Sequence, residues 1–419
     1  MREMKDSGIE WIGGIPKHWI VHPLYYYFGE RKNKNSLGHE TNLLSLSYGK
    51  IIRKDINSNG GLLPESFNTY NIIEKDDIII RPTDLQNDKR SLRTGISNEH
   101  GIITSAYVAM KAIKPLNSAY FHYLLHTYDI MKVFYNMGNG VRQGLNFSEF
   151  SRLIVFEPPI EEQNKMVSFL KSKCSEIDGL ISDIQKQITT LEEYKRSVIT
   201  ESVTKGLNPD AEMKDSGVEW IGVIPKHWEL KKGKHTLKYL QKPVKENDGV
   251  ITCFRDGEVT LRSNRREDGF TMADKEIGYQ GIDVGDLVVH GMDGFAGAIG
   301  ISDSRGKASP VLNVLDTEQN KKYIMYYLRS MAYNDVFLAL ATGIRVRSCD
   351  LRWNKLAELI YPLPSIAEQN TIVDYIDSVL ERANAIISEK KKQIETIEEY
   401  KKSLIFEYVT GKKEVYVNE

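Results

Sequence analysis

Read from the N-terminus, the spacing of apolar residues shifts from two to about three and a half, and then the whole series of shifts happens again. Residues 43–48, Leu-Leu-Ser-Leu-Ser-Tyr, alternate as a half-buried strand does. Residues 77–81 are a short apolar run, and residues 102–110 are a third strand candidate. Over residues 120–135, Phe121, Leu124, Leu125, Tyr128, Met131 and Phe134 fall at helical spacing until Gly138 and Gly140 break it. From residue 160 the pattern becomes that of a long helix. Ile177, Ile181, Ile184, Ile188, Leu191, Lys195 and Val198 step by alternating four and three, a heptad seam with one charged member. Gly206 and Pro209 end it. A helix over residues 161–204 is roughly 65 Å long at ~1.5 Å per residue.

The second half repeats this order. The segment Met4-Lys-Asp-Ser-Gly-Ile-Glu-Trp-Ile-Gly-Gly-Ile-Pro-Lys-His-Trp19 recurs 209 positions later, from Met213 to Trp228, with two substitutions. Residues 286–290 answer 77–81, residues 323–328 answer 120–125, and Gly343-Ile-Arg345 answers Gly140-Val-Arg142. The second long helix carries its own seam of Ala383, Ile387, Lys390, Ile394, Ile397, Lys401 and Leu404, each 206 positions after its counterpart. A motif repeated at half length marks a duplicated unit. The expected class is mixed α/β of the α+β type. Two globular domains (1–157 and 207–362) alternate with two long helices (158–206 and 363–413), and a tail covers 414–419. Matching seams predict an antiparallel coiled coil with a pseudo-two-fold axis. Residues 244–272 have no sequence counterpart in 33–70, so a common scaffold holds two different surfaces. Two unlike heads held apart by helices suit a long, regular, nearly two-fold target, and duplex DNA is the obvious one.

Composition constrains this picture without deciding it. There are 56 Lys+Arg against 57 Asp+Glu, a formal net charge of −1, so a nucleic-acid binder of this balance must gather its positive charge on one face. Cys174, Cys253 and Cys349 are widely spaced, which fits a reducing cytoplasm and gives no zinc-site spacing. The first residues lack an apolar signal core, and no run is apolar enough to span a bilayer. There is no Gly-rich phosphate loop and no Asn/Asp-Pro-Pro-aromatic methyltransferase tetrapeptide; Glu157-Pro-Pro-Ile160 has the wrong ends. No catalytic residue and no metal site is expected.

The chain resembles the specificity (S) subunits of type I restriction–modification systems. The resemblance is carried by the tryptophan motif and its copy, by Pro158-Pro-Ile-Glu-Glu-Gln163 and Leu363-Pro-Ser-Ile-Ala-Glu-Gln369 opening the long helices, and by Leu191-Glu-Glu-Tyr-Lys195 and Ile397-Glu-Glu-Tyr-Lys401. It implies two target-recognition domains, each reading half of a split double-stranded DNA sequence, with the helices setting the spacer. It implies docking of two modification (methyltransferase) subunits and two restriction subunits. S-adenosylmethionine then belongs to the modification subunit, ATP and Mg to the restriction subunit, and no cofactor to this chain. Two other readings fit the pattern: a coiled-coil scaffold that reads no DNA, and a specificity region separated from a methyltransferase-nuclease chain.

Arginine donates a two-pronged fork to guanine or phosphate, and asparagine or glutamine can pair with adenine. In the first half the candidates are Arg53, Lys54, Asn57, Gln86, Lys89, Arg90 and Arg93, with Asn59 alongside. In the second they are Arg255, Arg262, Asn264, Arg265, Arg266 and Arg347. Arg142 and Arg345 occur in both halves, so phosphate positioning is the expectation for them. The tryptophan motif is nearly identical in both halves and cannot produce two specificities. It reads as framework.

Overall fold

The computed structural model describes residues 2–57, 64, 66–83, 85, 92–135, 137, 144–265, 277–340 and 351–415. The chain divides into two compact units, residues 1–183 with 392–419, and residues 184–391.

The first unit is built on a four-stranded antiparallel sheet in the order Phe28–Glu30, Val108–Ala112, Ile78–Ile80, Thr94–Ile96. Its central strand, Ile-Ile-Ile, is buried on both faces, which explains a continuous apolar run in place of alternation. The helix Ser118–Ile130 covers one face, with Asn117 capping it by accepting from the Ala119 N–H. The 102–110 strand expectation is corrected here: Gly101–Ile103 and Val108–Ala112 are separate strands, and the turn between them sends them into different sheets. Gly101–Ile103 pairs instead with Asn71–Ile73. The helix also stops before residue 135, where Lys132 adopts a positive φ of 58°.

The second unit repeats this architecture strand for strand. Its four-stranded sheet runs Lys238–Leu240, Leu312–Asp316, Leu287–His290, Ile299–Ile301, and Gln280–Ile282 pairs with Gly306–Ala308. Its helix Lys321–Tyr333 is capped by Asn320. Within residues 244–265 there is a structural counterpart to the first unit. The hairpin Ile251–Cys253 with Val259–Leu261 holds the place that Leu44–Ser47 with Lys50–Arg53 holds in the first unit. Each is tied to the neighbouring pair by a parallel bridge, Leu43 to Ile102 and Val250 to Lys307.

The long helices are Ile160–Lys205 and Ile366–Val409. Each contributes to both units, and within each unit the two segments pack antiparallel. In the first unit Phe169 packs on Tyr408 and Asp178 pairs with Lys401 at 2.5 Å. In the second, Gln187 bonds Lys390 and Gly206 lies against Glu368. All of the apolar seam residues are buried or partly buried. Seam residues Lys195 and Lys401 keep their charge at the edge by pairing with Glu192 and Asp178.

Candidate nucleic-acid interface

In the first unit the hairpin is closed by Tyr48 and Gly49 alone, with φ of 47° and 78°. Leu44 and Leu46 point into the core, and this leaves Lys50, Ile52, Arg53 and Lys54 outward. Arg53 forks onto Glu99, Nε to Oε2 at 2.8 Å and Nη2 to Oε2 at 2.5 Å. The guanidinium stays largely exposed, so a phosphate or base edge can take over from the carboxylate without burying new charge. Lys54 and Asn57 are exposed beside it.

Arg93 behaves differently. Its exposure is 0%, its Nε donates to the Tyr135 hydroxyl at 3.1 Å, its backbone N–H donates to Asp129, and its guanidinium also reaches the Thr83 carbonyl. Tyr135 in turn donates to Asp129 at 2.9 Å, and burial raises the Asp129 carboxyl. Arg93 is thus part of a closed polar knot inside the fold. The expectation that it meets DNA is not met by this geometry.

In the second unit the corresponding hairpin has a longer loop, residues 254–258. Gly257 has a φ of 92°, and a Cβ there would meet the Arg329 guanidinium and the Ile299 carbonyl. Arg265 stacks over the Phe254 ring at 4.1 Å and pairs with Asp256 and Glu258. Arg255 donates to Asp293 at 2.9 Å. Arg262 and Asn264 donate to Thr252 and Thr260. Arg255, Arg262 and Arg265 line one open cleft of about 740 Å³. His290 lines it too, a lone histidine at the end of an apolar run with no motif to mark it. Its Nδ1 accepts the N–H groups of Met292 and Asp293, and burial pulls its pKa down, so the neutral ring presents a donor at Nε2. Cys253, also lining the cleft, is buried with its thiol pushed up by desolvation.

Arg53, Arg255 and Arg265 are thus pre-oriented by carboxylates, a pairing that hides their charge in the overall balance of −1. Gln86, Lys89, Arg90, Arg142, Arg266, Arg345 and Arg347, with Asn59, lie outside the described residues. Among the described residues no group of His, Cys, Asp and Glu could hold a metal ion, and no helix is long and apolar enough to cross a membrane.

The tryptophan motif fixes each globular part to the helices. Trp19 Nε1 donates to Glu162 at 3.2 Å, His18 bonds the same carboxylate at 2.7 Å, and Gly411 packs on Pro16 and Trp19. Trp228 and His227 meet Glu368 at 3.0 and 2.9 Å, and Gly206 packs on Trp228 and Pro225. Each tryptophan therefore clasps the start of one long helix and the end of the other. Gln163 and Gln369 extend both joints identically, accepting from Asn117 N–H and Asn320 N–H at 2.9 and 3.0 Å. The helices also leave large apolar residues outward in matched pairs: Ile160 and Ile366, Leu180 and Ile386, Tyr194 and Tyr400.

Proteins of known kind share this arrangement. The type I restriction enzyme MjaVIII specificity subunit of Methanocaldococcus jannaschii is 25% identical over 330 residues, 74% of this chain and 74% of that protein. The putative type I restriction enzyme MjaX specificity subunit of the same organism is 24% identical over 307 residues, 70% of this chain and 67% of that one. The chain is similar to the specificity subunits of type I restriction–modification systems. No family model matches this chain. Its fold matches a solved chain from a study of complex assembly and conformational transition in a type I restriction–modification system. The TM-score is 0.66 at 14% identity, with 95% of this chain and 99% of that chain covered.

Proposed function

We propose that this chain acts as a specificity subunit: it reads a bipartite duplex DNA target, one half-site per globular part, and docks two methyltransferase subunits. The observation that carries the first half is the pair of hairpins: one scaffold, repeated strand for strand, presents a tight Tyr-Gly turn with Arg53 in one unit and an arginine-lined cleft in the other. Side chains that read bases must differ between half-sites, and side chains that hold phosphates need not. Arg53, Lys54 and Asn57 are the candidates for one half-site, and Arg255, Arg262, Asn264 and Arg265 for the other. The matched outward residues Ile160/Ile366, Leu180/Ile386 and Tyr194/Tyr400 support docking of two copies of one partner, because a repeated surface suits a repeated ligand.

The long helices run from one unit into the other, so their length is the natural ruler for the unread spacer. Matched insertions in both helices should change the spacer and leave the half-site bases alone. Sequencing the methylated sites in cells that express the variant with its modification subunit checks this. Altered half-site bases with an unchanged spacer would refute the ruler. Exchanging residues 33–134 for those of another specificity subunit should alter one half-site only.

A further inference from the structure

The first hairpin carries a conflict between turn chemistry and sequence. A two-residue connection with positive φ at both central residues is the geometry for which Asn-Gly or Asp-Gly is favoured. Gly49 satisfies its half of that requirement. Tyr48 sits at a φ of 47° with a bulky side chain, a conformation that costs stability for any residue other than Gly, Asn or Asp. Its ring is 82% exposed, so burial recovers nothing. An aromatic residue held in strain at an exposed tip does not serve the fold.

The surroundings point to a polyanion. Residues 44–54 hold Lys50, Arg53 and Lys54 and no acidic residue, and the carboxylate that Arg53 engages, Glu99, comes from a neighbouring turn. An apolar or aromatic tip flanked by cations is how proteins wedge between base steps while gripping phosphates on either side. We propose that Tyr48 is the wedge of the first unit, inserting against the base stack of its half-site while Lys50, Arg53 and Lys54 hold the flanking backbone. This rests on the reading of the chain as a bipartite DNA reader. The second unit has no such wedge at the matching turn, where residues 254–258 form a broader loop with Arg265 laid over Phe254. The two half-sites should then differ in how strongly they are deformed as well as in sequence.

The test uses the full chain assembled with its modification subunit and duplexes selected by that complex from a random pool. Tyr48→Asn should raise Tm by about 2–4 °C through relief of the turn and lower affinity for the selected duplex about tenfold to a hundredfold. Tyr48→Phe should bind as the unaltered complex does. With 2-aminopurine placed in turn along the first half-site, the unaltered complex and Tyr48→Phe should brighten it at one step, and Tyr48→Asn should not. Unchanged affinity and an unchanged 2-aminopurine signal in Tyr48→Asn would overturn the wedge. So would loss of the modification subunit from the Tyr48→Asn complex with DNA affinity intact, which would make the tip a protein contact. If the unaltered complex shows no salt-dependent duplex binding at all, the DNA-reading assignment itself falls, and the wedge with it.

Discussion

In the first unit His100 holds two carboxylates together, Glu40 at 2.7 Å and Glu74 at 2.9 Å. At the matching place in the second unit Arg305 holds Asp248 at 2.7 Å and Asp283 at 2.5 Å. Both clamps tie the segment before the hairpin to the turns beside it. The difference is in what can titrate. Hydrogen bonding to Glu74 raises the His100 pKa, and the backbone N–H of Asn42 lowers the Glu40 carboxyl. In the other clamp Arg305 stays charged, and hydrogen bonds from Lys242 and then Arg305 pull Asp283 down to about 2. One joint was built twice, once with a cation that proton release removes and once with a cation that it does not. The interiors differ in the same sense. The knot of Arg93, Asp129 and Tyr135 in the first unit has Ala298, Ala332 and Leu338 at the matching positions of the second.

Four experiments press on that comparison. Arg93→Ala empties a fully buried site and takes the guanidinium donors from the Tyr135 hydroxyl and the Thr83 carbonyl, which should destabilise the first unit by about 3–5 kcal/mol and spare the second. Denaturant unfolding with hydrogen exchange resolved by unit measures it. Trp19→Ala and Trp228→Ala should each cost about 3–5 kcal/mol, because the two joints are the same. A gap of more than about 2 kcal/mol between them would make the repeat energetically unequal where it is geometrically equal.

Acid should also tell the units apart. Burial lowers His122 to about 3 and His126 to about 4, where the second unit has Met325 and Arg329. A depressed histidine contributes stability that is complete above its unfolded value and fades as pH falls toward the folded one. The first unit should therefore lose about 1–3 kcal/mol between about pH 6.5 and about pH 4, and His122→Met should reduce that loss. His290, lowered in the second unit, sets the smaller acid response expected there. The smallest effect belongs to the clamps. His100 has a raised pKa, so its contribution is whole below the unfolded value and disappears as pH rises through the folded one. With the ring half exposed, screening limits this to no more than about 1 kcal/mol. Hydrogen exchange over residues 43–53 should quicken toward alkaline pH more than over 250–261. Arg305→His should move that behaviour to the second unit, and His100→Arg should remove it from the first.

The parts of the fold with a period were legible in the sequence. The two helices and their seams followed from the four-three spacing, and the tryptophan joints from a motif too long to recur by chance. The equivalence of the hairpins was not legible, because it resides in backbone pairing and shares almost no side chains. Arg93 looked like a surface charge because its partner Asp129 lies 36 residues away, across a turn that no local pattern reports. Residues 102–110 read as one strand because residues 104–107 carry no Gly, Pro or Asn to mark the turn. Tyr48 escaped notice for a related reason: Tyr-Gly is not a recognised hairpin signal, and an aromatic at the end of an alternating run looks like strand. Among the candidate site residues, the exposed arginines could be named, but the carboxylates that aim them, Glu99, Asp256 and Asp293, could not.

The clasp of Trp19 on Gly411 bears on the order in which the molecule is made. The second unit, residues 184–391, is one unbroken stretch, whereas the first needs residues 392–419 to fill its core with Leu404, Ile405, Tyr408 and Val409. On the ribosome, the part synthesised first is therefore completed last, after more than two hundred intervening residues have emerged and can already have folded. Until then its apolar floor lies open to chaperones and proteases. A chain cut short between residues 391 and 404 would carry one finished unit and one that cannot close, and cellular quality control would have a surface by which to remove it.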